Sequence, residues 1–362
     1  MKFVDVNPFF FPYKGGIEHR MHDTARLLAE RGHDVTILTS RLPGTPEEER
    51  TEEGYRILRL KSKYIDVYNP PLVSSKGVLE ALISIDPDVA NYNYRWAPSY
   101  NRDLARYDGK KIFTYHNMWG EGEGWLSGLS EFNDNRFRRV LDTFDHIVCV
   151  SGYVRDDLVS RGVPPEMTTV VPSCLSSFPE VSREEGDFIL SLGRLVKTKG
   201  LKYLVEAMKD VDCRLVMCGK GPVEKKLKRQ IERLGLEGKI EMKGYVSEEE
   251  KAILMSTCRF FAMPSVFESL GLAAIELMSY GRPIVCSDVN GLPETVGDGG
   301  VTVPSKDPTA LADAMNLLLS DKKKRAEMGV LARSRAEFYD WKNHIGPLEK
   351  VLEDVAGGKE VC

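Results

Sequence analysis

The sequence predicts an α/β protein built from two doubly wound, parallel-sheet domains, and three observations point there. Apolar, β-rich runs alternate with amphipathic helical patterns along the whole chain. The runs are continuously apolar, as strands are in a parallel sheet covered by helices on both faces. At 362 residues the chain exceeds one ordinary domain and suits two of middling size. In the first half the strand candidates are KFVDV (2–6), DVTILTS (34–40), YRILRL (55–60), DVANYN (88–93), KIFTYH (111–116) and HIVCVS (146–151). Helical patterns fall between most of them. The clearest is GIEHRMHDTARLLAERG (16–32), with Ile17, Met21, Ala25, Leu28 and Ala29 on one face. The second half repeats the theme with FILSLGR (188–194), RLVMCG (214–219), KIEMKG (239–244), FFAMPS (260–265), RPIVCSD (282–288) and GVTVP (300–304). Helical patterns fill the remainder, the last opening at Trp341. Between the halves, PSCLSSFPEVSREEGD (172–187) is rich in Pro, Ser and charge without a clean period, which is a linker by composition. The expected domains are 1–172 and 173–340. Such sheets bind ligands at the carboxyl ends of their strands, here expected to border a cleft.

Composition narrows the function. With 42% hydrophobic and 29% charged residues there is material for two cores. A net charge of −4 argues against a dedicated nucleic-acid binder, which carries a basic surplus. No stretch approaches the roughly 18 to 20 apolar residues of a membrane span. The opening MKFVDVNPFFFPYKGG is broken by Asp5, Asn7 and Pro8, and reads as a first strand rather than a signal peptide. Five of the seven cysteines, Cys149, Cys213, Cys218, Cys258 and Cys286, sit in or beside strand-like runs, where reduced, buried thiols are expected. No CxxC pair suggests zinc. The expected location is cytoplasmic.

The stretch FFAMPSVFESLGLAAIELMSYGRPIVCSD (260–288) concentrates the chemistry. A strand should end at Pro264–Ser265 and a helix begin near Leu270, so that Glu268 precedes the helix and Glu276 lies more than a turn inside it. Eight helical residues rise about 12 Å, too far for two carboxylates to serve one reacting atom. Between them the helix start offers free N–H groups and partial positive charge, and Gly271 lets the backbone approach closely, a combination that suits a phosphate. The two carboxylates would then clamp hydroxyls on either side. In FILSLGRLVKTKGLKYLVEAM (188–208), Arg194 and Lys199 follow a strand end, where two cations could neutralise a diphosphate. Glycines recur at the next strand ends (Gly219, Gly221, Gly244) and at Gly15–Gly16 before the first long helix, each a possible point of close approach.

His116 ends an apolar strand on the expected ligand side, where hydrogen bonding to a reacting substrate is its candidate role. His19 and His22 share a helix face with no third ligand nearby and are read as structural. The triplets Asp86-Pro87-Asp88 and Asp210-Val211-Asp212 lie at the amino ends of strands and are read as helix-to-strand turns. Tyr92, Tyr94, Trp96, Tyr100, Tyr107, Phe113, Tyr115, Trp119 and Trp125 crowd one part of the first half. Most are expected in the core, while any that reach the ligand side would stack on sugar rings. Arg136, Arg138 and Arg139 read as a solvated helix face, with docking on anionic lipid as the alternative.

Taken together, these segments resemble the retaining glycosyltransferases of family 4, the glycosyl transferases group 1, whose GT-B fold has two facing Rossmann-like domains. The resemblance is carried by GGIEHRMHDTARLLAERGHDVTILTS (15–40), HIVCVSGYVRDDL (146–158), SLGRLVKTKGLKYLVEA (191–207), VMCGKGPVEKKLK (216–228) and MPSVFESLGLAAIELMSYGRPIVCSDVNGLPE (263–294). The last holds the family's glutamate, seven residues, glutamate pattern. The first half diverges more: NYN (91–93) stands where many relatives have a His-rich strand end.

The resemblance implies a nucleotide-diphosphate sugar held mainly by the second domain. By position, Arg194 and Lys199 would contact the diphosphate, together with backbone amides of Leu270, Gly271 and Leu272. Glu276 would take the ribose hydroxyls and Glu268 those of the donor sugar. Gly244, Tyr245 and Val246 would meet the base, with Gly219 close to the donor. His116 and Gly16 would approach from the first domain, and the helix from about 341 would cross back to it. No cofactor and no bound metal are implied. The implied reaction is hexosyl transfer with retention, forming an α-glycoside on a saccharide, lipid-linked or small-molecule hydroxyl. Its mechanism would be same-face attack, with the departing phosphate helping to deprotonate the acceptor. A lipid-linked acceptor would bring peripheral contact with the inner membrane face. Two rivals stay open: a nucleotide-sugar epimerase on the same fold, and a non-catalytic sugar-nucleotide-binding subunit.

Overall fold

The computed structural model describes all residues except 66–70, 121–124, 183, 360 and 362. The chain divides into two units, Met1–Pro172 with Lys342–Cys362, and Ser173–Trp341.

The first unit runs β1 (Lys2–Val6), α1 (Gly16–Glu30), β2 (Asp34–Ser40), β3 (Glu48–Arg50), β4 (Arg56–Leu60), β5 (Ser62–Ile65), β6 (Leu72–Ser75), α2 (Val78–Ile85), β7 (Val89–Tyr92), α3 (Pro98–Ala105), β8 (Lys111–Tyr115), α4 (Trp125–Leu141), β9 (His146–Cys149), α5 (Gly152–Ser160) and β10 (Thr168–Val170). Eight of its strands form a sheet in the order β10-β9-β8-β7-β1-β2-β4-β3, parallel except for the β3–β4 pair. The chain moves outward from β1 through β2 and β4, then returns to build β7 to β10 on the other side. The switch point therefore lies between β1 and β7, where a doubly wound sheet leaves a crevice. β3, β10 and the β5–β6 hairpin are additions to the sequence expectation. EER and TTV are short edge strands with no apolar run to announce them.

The buried stripe of α1 keeps Met21, Ala25 and Leu28 of the expected face and widens to three polar residues. Glu18, Arg20 and Thr24 are buried beside Met21, Ala25 and Leu28, whereas Ile17 and Ala29 are half-buried. The charged side chains find fixed partners: Asn7 Nδ2 donates to Glu18 Oε1 at 3.2 Å, and Arg20 Nη1 donates to the Pro172 carbonyl at 2.5 Å. Hydrogen bonding can thus widen the buried face of a helix beyond its apolar residues.

The second unit runs β11 (Phe188–Leu192), α6 (Leu201–Ala207), β12 (Arg214–Cys218), α7 (Glu224–Leu234), β13 (Ile240–Gly244), α8 (Glu248–Thr257), β14 (Phe261–Met263), α9 (Leu272–Met278), β15 (Ile284–Ser287), α10 (Leu292–Val296), β16 (Gly300–Val303), α11 (Pro308–Ser320) and α12 (Lys322–Phe338), and α13 (Trp341–Ala356) follows. Its six-stranded sheet is wholly parallel, in the order β13-β12-β11-β14-β15-β16. Here the switch point lies between β11 and β14. Leu215, Met217, Ala262 and Val285 of the sheet pack with Leu204, Val205, Ile231, Met315 and Leu318 of the helices in one apolar core.

The described residues of the linker stretch, 173–182 and 184–187, are fastened along the second unit. Arg325 donates from Nε and Nη2 to the Glu185 carboxylate at 2.7 and 2.8 Å. Arg333 Nη1 donates to the Pro179 carbonyl at 2.7 Å, and the Gly186 amide to the Thr257 carbonyl at 2.7 Å. Leu175 bonds the Tyr339 carbonyl at 2.9 Å and receives the Trp341 amide at 3.0 Å. Within the first unit, Glu349 of α13 receives Arg31 Nη1 at 2.8 Å and pairs with His33 Nε2 at 2.6 Å. Cys149, Cys174, Cys213, Cys218, Cys258 and Cys286 are free and buried. Among the described residues, no helix is long and apolar enough to cross a membrane.

Candidate active site

In the second unit the loops after β11 and β14 meet at the switch point. β11 runs into Gly193 and the exposed Arg194, and a single 3-10 turn, Lys197–Lys199, leads to α6. The Val266 amide after β14 donates to the Thr198 carbonyl at 2.8 Å, holding the two loops together. This brings Lys199 Nζ to 2.5 Å from Glu268 Oε2, although 69 residues separate them. Ser265 Oγ donates to the same carboxylate oxygen at 3.4 Å, and the Glu268 amide donates to Asn290 Oδ1 at 3.3 Å. The side chains of Lys199 and Glu268 stay 24% and 15% exposed, open enough to exchange partners.

The helix between the glutamates begins two residues later than the sequence suggests, at Leu272. Gly271 is its N-cap with φ 90° and ψ 52°, a left-handed backbone that cannot continue a helix backward. Leu270 is a buried loop residue whose carbonyl accepts from Thr295 Oγ1 at 2.5 Å. Glu276 remains in the second turn of α9 and pairs with Lys251 Nζ. Burial alone would lower the Lys251 ammonium, but Glu276 and Glu248 outweigh it and hold its pKa above the usual value. Lys251 is a contact the sequence reading missed. Its only signal was a lysine in EEEKAIL, just after the segment Gly244 to Val246.

The glycines at adjacent strand ends, each unremarkable in sequence, line up in space. The Gly193 amide donates to the Cys218 carbonyl at 3.0 Å, and the Gly219 amide to the Gly244 carbonyl at 2.6 Å. A Cβ on Gly219, whose φ is 135°, would lie 1.9 Å from the Gly193 carbonyl oxygen, so only glycine fits. Tyr245 and Val246 follow β13, and Tyr245 is 74% exposed.

In the first unit, His116 follows β8 and its Nε2 lies 2.9 Å from Asn93 Oδ1. Burial, with Arg20 and Arg95 nearby, holds the His116 ring well below its usual pKa and therefore neutral. Asp5 of β1 accepts from Asn91 and Asn93, yet burial lifts its carboxyl to about 7. Gly16 opens α1, but the N-cap is Gly15. Tyr92, Tyr100, Phe113 and Tyr115 are core. Tyr94 and Trp96 are half-buried and meet edge to face at 6.3 Å, while the Trp125 side chain lies outside the described residues. Asp134 of α4 shapes this region by accepting from Arg95 Nε at 2.5 Å, Trp96 Nε1 at 3.3 Å and the Gly120 amide at 2.8 Å. Arg138 is committed to Asp142 at 2.8 Å. His22 Nδ1 meets the Tyr55 hydroxyl at 2.8 Å, and both His19 and His22 pack on Phe11. Among the described residues one group, His33, Glu349 and Glu353, has donor atoms within 4.8 Å of one another. Arg31 already neutralises Glu349 there, so the arrangement is a clasp for α13.

Comparison with known proteins agrees with this architecture. Residues 14–176 match the family description "Glycosyltransferase Family 4", and residues 175–335 match "Glycosyl transferases group 1". The chain is 28% identical over 224 residues to an uncharacterized glycosyltransferase of Methanocaldococcus jannaschii, a match covering 61% of this chain and 62% of that one, less than two thirds of the relative's length. It is 26% identical over 383 residues to a phosphatidyl-myo-inositol mannosyltransferase of Mycobacterium leprae, covering 98% and 97% of the two chains. Among solved structures, a sucrose-phosphate synthase from Thermosynechococcus elongatus superposes with a TM-score of 0.83 at 19% identity, over 99% of this chain and 100% of that one. Anabaena HepE, solved with UDP-glucose, superposes with a TM-score of 0.74 at 17% identity, over 98% and 100%.

Proposed function

This chain belongs to the glycosyltransferases of family 4 and has the GT-B fold, and we propose that it moves a hexose-type sugar, with retention, from a nucleotide-diphosphate sugar to a hydroxyl of a saccharide or lipid-linked acceptor. The observation that carries this reading is the half-exposed pair Lys199–Glu268 at the switch point. A diphosphate sugar can replace both halves of that pair at once. Its phosphates take Lys199 and Arg194, and its sugar hydroxyls take the Glu268 carboxylate. The pair Lys251–Glu276 would open in the same way for the ribose hydroxyls, with Tyr245 and Val246 beside the base. As the glycosidic bond breaks, Lys199, Arg194 and the amides at the start of α9 stabilise the charge growing on the leaving diphosphate.

Retention is what the family resemblance implies, and Glu268 bears only on the route to it. Tied to a lysine and placed to hold hydroxyls, it is a clamp rather than a nucleophile, whereas a double displacement requires a carboxylate poised against the anomeric carbon. Same-face attack, with the departing phosphate drawing off the acceptor proton, suits this donor set. Two cations compensate the diphosphate, which supports donor binding without a metal. Tyr94 and Trp96 offer ring faces to a saccharide acceptor.

Thermal-shift screening against a panel of nucleotide sugars tests the donor, since a bound ligand raises stability as RT ln(1 + [L]/Kd). One donor should raise the melting temperature, with or without EDTA, and transfer its sugar to an acceptor as the α-anomer. Epimerisation of the donor alone, with no acceptor requirement, would overturn the transferase reading. A β-linked product would overturn retention.

A further inference from the structure

At the switch point of the first unit, the side chains form a hydrogen-bond chain with a fixed direction. Asp5 Oδ1 receives Asn91 Nδ2 at 2.9 Å and Asn93 Nδ2 at 2.6 Å. Asn93 Nδ2 also lies 3.2 Å from the Val6 carbonyl, which can only accept. The NH2 end of Asn93 is therefore settled whatever the charge on Asp5, and its oxygen must face His116 Nε2, 2.9 Å away. Asn93 Oδ1 can only accept and lies 3.3 Å from Asn91 Nδ2, which fixes that amide in the same sense, with its NH2 toward Asp5 and its oxygen receiving Thr114 Oγ1 at 2.8 Å. An amide oxygen only accepts, so the proton of the neutral imidazole sits on Nε2.

We propose that Asp5, Asn91 and Asn93 are positioning residues that hold His116 as its Nε2–H tautomer, so that Nδ1 carries the lone pair and meets a sugar hydroxyl only as an acceptor. This rests on the reading of His116 as a substrate-contacting residue. The depressed basicity of the half-buried ring agrees with it, because a neutral imidazole has one donor and one acceptor nitrogen. In this state His116 cannot donate to a leaving phosphate. It orients a hydroxyl by taking that hydroxyl's proton into a hydrogen bond. The NYN segment (91–93) supplies both amides.

Long-range 1H–15N correlation of the histidine rings in the full chain reads the tautomer directly, with His116 assigned by its loss in His116→Ala. The wild type should show Nε2 protonated and Nδ1 unprotonated. Asn93→Ala removes the acceptor and should shift the ring toward mixed or Nδ1–H signals. Asp5→Asn should produce a smaller shift, because it weakens one acceptor on Asn93 Nδ2 and leaves the Val6 carbonyl in place, with melting curves confirming that both variants fold. A proton on Nδ1 in the wild type, or an unchanged ring spectrum in Asn93→Ala, overturns the proposal. With the donor identified by thermal shift, Asn93→Ala should lower kcat about tenfold, the worth of one hydrogen bond, with donor KM little changed. In a His116→Ala background the same change should add nothing, and an undiminished loss there would overturn the positioning role. If the wild-type chain transfers from no nucleotide sugar, the transferase reading fails, and the ring spectra still decide the tautomer.

Discussion

At the strand ends of the first unit, Asp5, Asn91, Asn93 and His116 are joined by hydrogen bonds and drawn toward neutrality, the carboxyl lifted to about 7 and the ring held well below its usual value. Beyond the strand ends of the second, Lys199 pairs with Glu268 and Lys251 with Glu276, and all four are partly exposed. Burial explains both. Where water is excluded, an ionised group is penalised and recognition falls to the direction of hydrogen bonds. Where water reaches, ion pairs are weak enough to be traded for a charged ligand. On the proposed function, the second unit would grip an anion and the first would orient an uncharged hydroxyl.

The largest effect that could break this contrast is on the anion grip. Lys199→Ala should lower kcat/KM for the donor by roughly 10²–10³-fold, as loss of one charge-stabilising donor does, with little change in melting temperature. Donor turnover within threefold of wild type would remove Lys199 from the phosphate seat.

The neutral network should show itself in pH dependence. Folded Asp5 keeps its proton to about 7 whereas the unfolded carboxyl loses it near 3.8, so its contribution to stability falls as pH rises across that window. That is about three pKa units, or at most about 4 kcal/mol. His116, and His146 held at about 4 by burial, act oppositely: their unfolded rings take up protons below about 6.5, so stability is lost as pH falls toward 4. Two such rings outweigh one carboxyl, so wild-type stability should rise with pH between about 4 and 6.5. Asp5→Asn should remove the falling contribution and steepen the rise with pH in denaturant titrations. Equal slopes for the two proteins would mean that Asp5 is not neutral in the fold.

A smaller effect sharpens the difference between the two ion pairs. Glu276→Gln should weaken donor binding about tenfold for any sugar, through the ribose, because it removes one charged hydrogen-bond acceptor. Glu268→Gln should depress turnover and alter the choice of sugar more than affinity. Isothermal titration beside steady-state kinetics separates the two, and identical profiles would end the distinction between ribose clamp and sugar clamp.

The sequence made the parallel strands legible because buried parallel strands are continuously apolar, and it made the cations and glycines at the strand ends legible through their spacing. Edge strands such as Glu48–Arg50 were illegible, since an exposed edge asks for no apolar run. The start of α9 was misplaced by two residues because the left-handed turn at Gly271 leaves no mark beyond the glycine itself. Lys251 looked like one more solvated helix lysine until the fold set it against Glu276. By itself, then, the sequence determined the two doubly wound halves and the residue types at their strand ends, because both follow from local periodicity and spacing. Only the tertiary structure decided which lysine holds which glutamate and which way the Asn93 amide points. Those choices join residues dozens of positions apart, and a contact of that kind exists only after the chain has turned back at the switch point of its sheet.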